Sequence, residues 1–171
     1  LKPFVFLDWF AGASATGMAM AAHPHSGLAT HTTLLAGGTT YGDSTGQAGE
    51  LRAGDVEWMR AGGGVWHWGA TQPGAVRGYQ LWVALPPNLE LAPAESLYLD
   101  AAQVPGDGVA RVLLGRYGDL TSPIDLPVPI TYLHGRLKAG ERWTDQPAAG
   151  HDLAWLAVHG GPAPRLRARP S

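Results

Sequence analysis

The amino-acid sequence predicts an all-β protein, a sandwich or barrel of short antiparallel strands, and three features carry that reading. Extended runs rich in β-branched and aromatic residues recur at roughly 8–12 residue spacing with glycine turns between them. Glycine and proline together make up 38 of the 171 residues, which favours turns over long helices. No segment sustains the 3.6-residue apolar period of an amphipathic helix. Apolar residues at 45% and seven tryptophans supply a core and exclude a disordered chain.

Taken in order, residues 3–10 (P-F-V-F-L-D-W-F) are aromatic and β-branched and predict a buried strand. The Ala/Gly/Met stretch 11–22 lacks clear periodicity and is expected to be a loop leading to His23. Thr30–Leu35, Thr39–Tyr41, Val56–Met59 and Val65–Trp68 read as strands separated by the turns Gly37-Gly38, Asp43–Gly46 and Ala61–Gly64. Residues 78–85 (G-Y-Q-L-W-V-A-L) form the strongest strand pattern, stopped by Pro86-Pro87. Residues 1–87 are thus expected to form one barrel, 88–108 an irregular connection, and 109–171 a partial second unit. That unit would carry strands at 109–114, 130–137 and 152–158 before a frayed tail from Pro162, too little chain to complete a second barrel.

A formal net charge of −2 gives no basic field, so nucleic acid is not an expected partner. Phe4–Ala22 is interrupted by Asp8, glycines and hydroxyl residues, and neither a signal peptide nor a membrane span is expected. The chain contains no cysteine, which rules out disulfides and thiolate ligands and fits a cytoplasmic protein. No phosphate-cradling glycine loop and no G-x-S-x-G elbow is present.

Histidine carries the strongest chemical signal. In His23-Pro24-His25 the i, i+2 spacing places both imidazoles on one face of an extended segment. His67, reached through two hairpins, is the candidate third ligand, and imidazole suits Fe, Zn, Cu and Ni. The plain alternative is an ordinary polar H-P-H loop with an unrelated strand histidine. His31 shares the parity of His23 and His25 and is a further candidate ligand, against a role as an interior histidine. Gln72 and Gln80 are candidate pocket amides, Trp66 and Trp68 should face away from His67, and Trp9, Trp58 and Trp82 read as core. His134, His151 and His159 lack ligand spacing, and the alternating Arg165, Arg167 and Arg169 read as a solvated terminus.

The string H-P-H-S-G-L-A-T at 23–30 resembles the metal-binding signature of the pirin family, a branch of the cupin superfamily. P-F-V-F-L-D at 3–8, D-S-x-G at 43–46, R-x-G-D-V-x-W-M-x-A-G-x-G-x-x-H at 52–67 and G-x-Q-L-W-V-A-L-P at 78–86 follow in the family's order. The resemblance is strong over 3–86 and weaker over 117–161. It implies a jelly-roll-like cupin β-barrel in a bicupin arrangement with an incomplete second barrel. It further implies that His23, His25 and His67 are metal ligands, Fe(II) first, with Zn, Ni, Cu or Mn as alternatives.

The family's fourth ligand, a glutamate two residues after the third histidine, falls on Gly69, and the cupin glutamate near position 29 falls on Ala29. A metal-free protein is therefore one expectation. Three neutral imidazoles would otherwise leave a divalent ion its full charge and favour anionic ligands. The resemblance implies activity like that of quercetin 2,3-dioxygenase on a small aromatic substrate. The alternatives are a non-catalytic metal or redox sensor that binds a partner protein, and a degenerate cupin with an empty pocket. Exposed strand edges in the short second unit lead to the expectation of a homodimer.

Overall fold

The computed structural model describes residues 2–161. The arginine tail at 165, 167 and 169 lies outside the described residues. Thirteen strands are present among them: β1 (Phe4–Ser14), β2 (Ala19–His25), β3 (Leu28–Ala36), β4 (Gly38–Asp43), β5 (Ala48–Arg52), β6 (Val56–Arg60), β7 (Val65–Thr71), β8 (Gly74–Ala84), β9 (Glu95–Leu99), β10 (Ala110–Leu114), β11 (Arg116–Tyr117), β12 (Leu120–Thr121) and β13 (Tyr132–Gly135). Among the described residues the sole helical element is a 3₁₀ turn at Ala101–Gln103, and no helix is long and apolar enough to cross a membrane.

Two antiparallel sheets carry the architecture, one of five strands in the order β1-β8-β3-β6-β9 and one of four in the order β2-β7-β4-β5. Their inner faces meet: Trp82 of β8 packs edge-on to His25 of β2, and Tyr98 of β9 stacks on Tyr41 of β4 with ring centroids 3.6 Å apart. Leu34, Leu51 and Val76 fill the space at one end, with Phe10, Tyr41 and Tyr98 against them, while Met59, Ala61 and Val65 form a second small apolar cluster.

Strand β3 reads L-A-T-H-T-T-L-L-A and is buried over most of its length because both of its faces are covered. Side chains alternate across a strand, and cross-strand partners share a face, so Thr32 lies with Gln80 and Glu57, and His31 lies with Leu81 and Trp58. The first set faces the four-stranded sheet. The second belongs to the largest core, where Ala29, Val56, Trp58, Leu81 and Val83 pack against Leu113, Leu114, Ile124 and Ile130 from the C-terminal part. Each large aliphatic side chain buried there contributes about 1.5–3 kcal/mol of transfer free energy. The pairs β10–β13 and β11–β12 are two-stranded ribbons.

Four expectations change. Residues 11–22 are not a loop: they end β1 and begin β2, two edge strands whose exposure removes the inside/outside alternation that marks a half-buried strand. Within 88–110, Glu95–Leu99 pairs with β6 as a fifth strand of the larger sheet, so the enclosure draws on chain beyond residue 87. Residues 152–158 form no strand. Trp155 instead packs on Phe4 with centroids 5.3 Å apart, side chain against side chain without a backbone ladder. Trp9, expected in the core, is exposed on β1 beside Tyr79 and His159.

Candidate metal centre

His23 and His25 sit at the end of β2, an edge strand paired only with β7. The edge tolerates Pro24, which has no N–H to give a second neighbour. Alternation sends both imidazoles inward and Pro24 outward, opposite Trp66. His67 is the cross-strand partner of His23 and enters the same space, while Trp66 and Trp68 on either side of it point out to solvent.

The three rings converge through one atom each. The Nε2 atoms of His25 and His67 lie 3.1 Å apart, and those of His67 and His23 lie 2.8 Å apart. All three ligand nitrogens fall within 4.8 Å of one another. His23 Nδ1 lies 2.9 Å from the Ala21 carbonyl oxygen, to which it donates, so that its Nε2 presents a lone pair. His67 and His25 are buried and His23 half-buried. Burial, followed by the neighbouring imidazoles, pushes His67 down to about 4, and burial together with His23 lowers His25. Both are neutral at pH 7.

This donor set fits a cation. One proton on His67 Nε2 satisfies one of its two Nε2 neighbours and leaves the other contact unpaired. A metal–nitrogen bond of about 2.0–2.1 Å places two ligands at right angles about 2.9 Å apart, close to the separations observed here.

The facing sheet closes the enclosure. Trp82 stands 5.1 Å from His25, centroid to centroid, and donates its indole N–H to Gln80 Oε1 at 2.8 Å. Gln80 is thus a wall residue, whereas Gln72 is an exposed turn residue. Beside them lies a group that sequence reasoning missed. Tyr98 Oη donates to Asp43 Oδ2 at 2.8 Å and lies 3.3 Å from Glu57 Oε1. Asp43 also accepts from the Thr45 backbone N–H and hydroxyl, and it is the cross-strand partner of His67.

Tyr98 has one O–H proton to offer two carboxyl groups, Asp43 at 2.8 Å and Glu57 at 3.3 Å. Their electrostatics differ. Burial raises Glu57, with Asp43 reinforcing it against the Thr32 and Tyr98 hydroxyls and His23; Asp43, though desolvated, is held low by the Thr45 and Tyr98 hydroxyls. The available signal was a lone charge inside V-E-W-M, a strand otherwise apolar.

His31 is not with the other histidines. The chain leaves β2 at Ser26-Gly27, where Gly27 has φ +68°, and enters β3 in the other sheet, so parity does not carry across. Its ring is fully buried on the far face of the five-stranded sheet, edge-on to Tyr132, with neither nitrogen hydrogen-bonded. His134 and His159 approach each other at 5.7 Å between centroids, away from the centre. Among the described residues, His23, His25 and His67 form the sole cluster of three potential ligands.

Residues 1–83 match the family model described as Pirin. A pirin-like protein of Solanum lycopersicum is 36% identical over 145 residues, covering 82% of this chain and 49% of the relative. Over residues 1–83, the chain belongs to the pirin family.

A crystal structure of a quercetin 2,3-dioxygenase from Acinetobacter baumannii superposes with a TM-score of 0.68 at 31% identity, over 77% of this chain and 51% of that one. An Escherichia coli pirin crystallised with nickel(II) shares the fold at 19% identity, with a TM-score of 0.52 over 57% of this chain and 42% of its own. This pirin relative therefore has the cupin fold. It spans about half the length of the curated pirins it matches. Position 69, where the sequence resemblance places a carboxylate, lies on β7 opposite Tyr41, and a Cβ there would run into the Thr40 carbonyl oxygen.

Proposed function

We propose that this chain is a metal-binding cupin whose His23, His25 and His67 hold one divalent ion, Fe(II) first, with Ni, Zn, Cu or Mn as alternatives. The reaction proposed is dioxygenase cleavage of a flavonol such as quercetin. The observation that carries the reading is the convergence of three Nε2 atoms on one point. A divalent ion at that point would lower the pKa of a ligand hydroxyl and hold the resulting oxyanion. The chain's own residues supply the rest. His25 and His67 are neutral at pH 7 and offer their lone pairs without first losing a proton. Trp82 gives an aromatic wall beside the centre, and Gln80 fixes its indole. The likeness to the Acinetobacter baumannii quercetin 2,3-dioxygenase supports the choice of substrate class.

Elemental analysis of protein purified without added metal, repeated on His25→Ala, tests the centre. Oxygen uptake with quercetin tests the reaction. Metal in the wild type, none in the variant and quercetin-dependent uptake are expected; no binding of any of these ions overturns the centre. A loaded protein that consumes no oxygen with quercetin leaves the second reading, a non-catalytic metal sensor, which Gly69 favours because it removes the family's carboxylate from the strand bearing His67.

A further inference from the structure

Strand β6 brings a carboxyl to the inner face of the five-stranded sheet that no neighbouring charge neutralises. Glu57 is buried, and it lies in one cross-strand row with Tyr98, Thr32 and, beyond Thr32, Gln80. Two strand positions along β8 on the same face, Trp82 touches His25. Tyr98, 3.3 Å from Glu57, also donates to Asp43, the cross-strand partner of His67, so the carboxyl adjoins the histidine-bearing sheet. No lysine or arginine pairs with it among the described residues. A buried, unpaired carboxyl is expensive, and a stable fold keeps one where another charge is to be met. Asp43 cannot fill that role as readily, because its oxygens are occupied by Thr45 and Tyr98 in the β4 turn.

On β7 the corresponding position is closed: Gly69 has the Thr40 carbonyl where a side chain would begin. Resting on the metal-binding reading above, we propose that Glu57 is the carboxylate of this centre, supplied from the facing sheet: it provides the negative charge to a divalent cation on His23, His25 and His67 that β7 does not provide. Burial favours the protonated carboxyl at Glu57, whereas a divalent charge held by the histidines would favour the carboxylate, the proton passing to bulk water and the O–H electron pair remaining on Glu57. Tyr98 keeps the carboxyl in place throughout.

The test is the affinity of the full chain for Ni(II) and Fe(II), measured by chelator competition at pH 7 for the wild type, Glu57→Gln, Glu57→Asp and Tyr98→Phe, with a thermal melt of each metal-free protein. Glu57→Gln keeps the shape and removes the charge, and should weaken binding about 10–100-fold, the range seen when a group behind the ligands is lost. Glu57→Asp should recover part of that loss, and the metal-free Glu57→Gln protein should melt no lower than the wild type. Equal affinity in wild type and Glu57→Gln overturns the proposal while leaving the three-histidine centre standing. Absence of binding by the wild type overturns both. If Glu57→Gln does not fold, Tyr98→Phe decides: it frees the carboxyl from its anchor, and unchanged affinity there counts against the proposal.

Discussion

The carbonyl oxygen of Thr40 stands where the Cβ of any side chain at position 69 would have to begin, so Gly69 is required by the approach of β4 to β7. The carboxylate that the sequence resemblance places at this position is thus excluded from the strand by the backbone itself.

Restoring the family residue should therefore fail. Gly69→Glu and Gly69→Ala must both push β4 away from β7, at about 1–3 kcal/mol for overpacking. At about 2–4 °C per kcal/mol for a chain of this size, melting should fall by several degrees in both. A Gly69→Glu protein that melts like the wild type would show that the two strands part freely.

His67 lies between its two partners, 2.8 Å from one Nε2 and 3.1 Å from the other. His67→Ala should reduce bound divalent metal to background in elemental analysis. Trp68→Ala, which alters an exposed neighbour on the opposite face, should leave the metal content unchanged.

His31 predicts an acid-labile fold. Burial pushes its pKa down to about 3 from an ordinary 6.5. Between those values the unfolded chain binds a proton that the folded chain refuses, so stability rises with pH across the window and is lost as pH falls below 6.5. The slope is about 1.4 kcal/mol per pH unit for one such group. Urea midpoints measured at pH 7, 6 and 5 should fall less steeply in His31→Leu than in the wild type, which cancels the contributions of His25 and His67.

Trp82 touches His25, with ring centroids 5.1 Å apart. A quenching ion such as Ni(II) or Cu(II) at the centre should dim Trp82 more than the outward-facing Trp66 and Trp68. Titration followed by fluorescence should show quenching in the wild type and much less in Trp82→Phe.

The histidine pair was legible because its chemistry is local: two residues apart on an extended segment, His23 and His25 share a face whatever the sheet does. His67 needed only the parity of its own strand and a hairpin count. His31 was misplaced because parity ends where the chain changes sheets at Ser26-Gly27, and two residues of turn erase it. Glu57 escaped notice for the opposite reason. Its significance is created by Tyr98, 41 residues away, and by histidines on another sheet, none of which leaves a local pattern. Strand β9 was hidden among Pro93, Glu95 and Asp100 because an edge strand carries half the burial of a central one.

Two of the three imidazoles hang on β2, a strand fastened along a single flank, while the third belongs to its inner neighbour β7. An ion gripped by both would act as a rivet between them, joining positions 42 residues apart in the case of His25 and His67. Peeling of β2 and loss of cargo would then be one event, and the ribbon bearing His23 would report, by its protection from hydrogen exchange, whether the rivet is in.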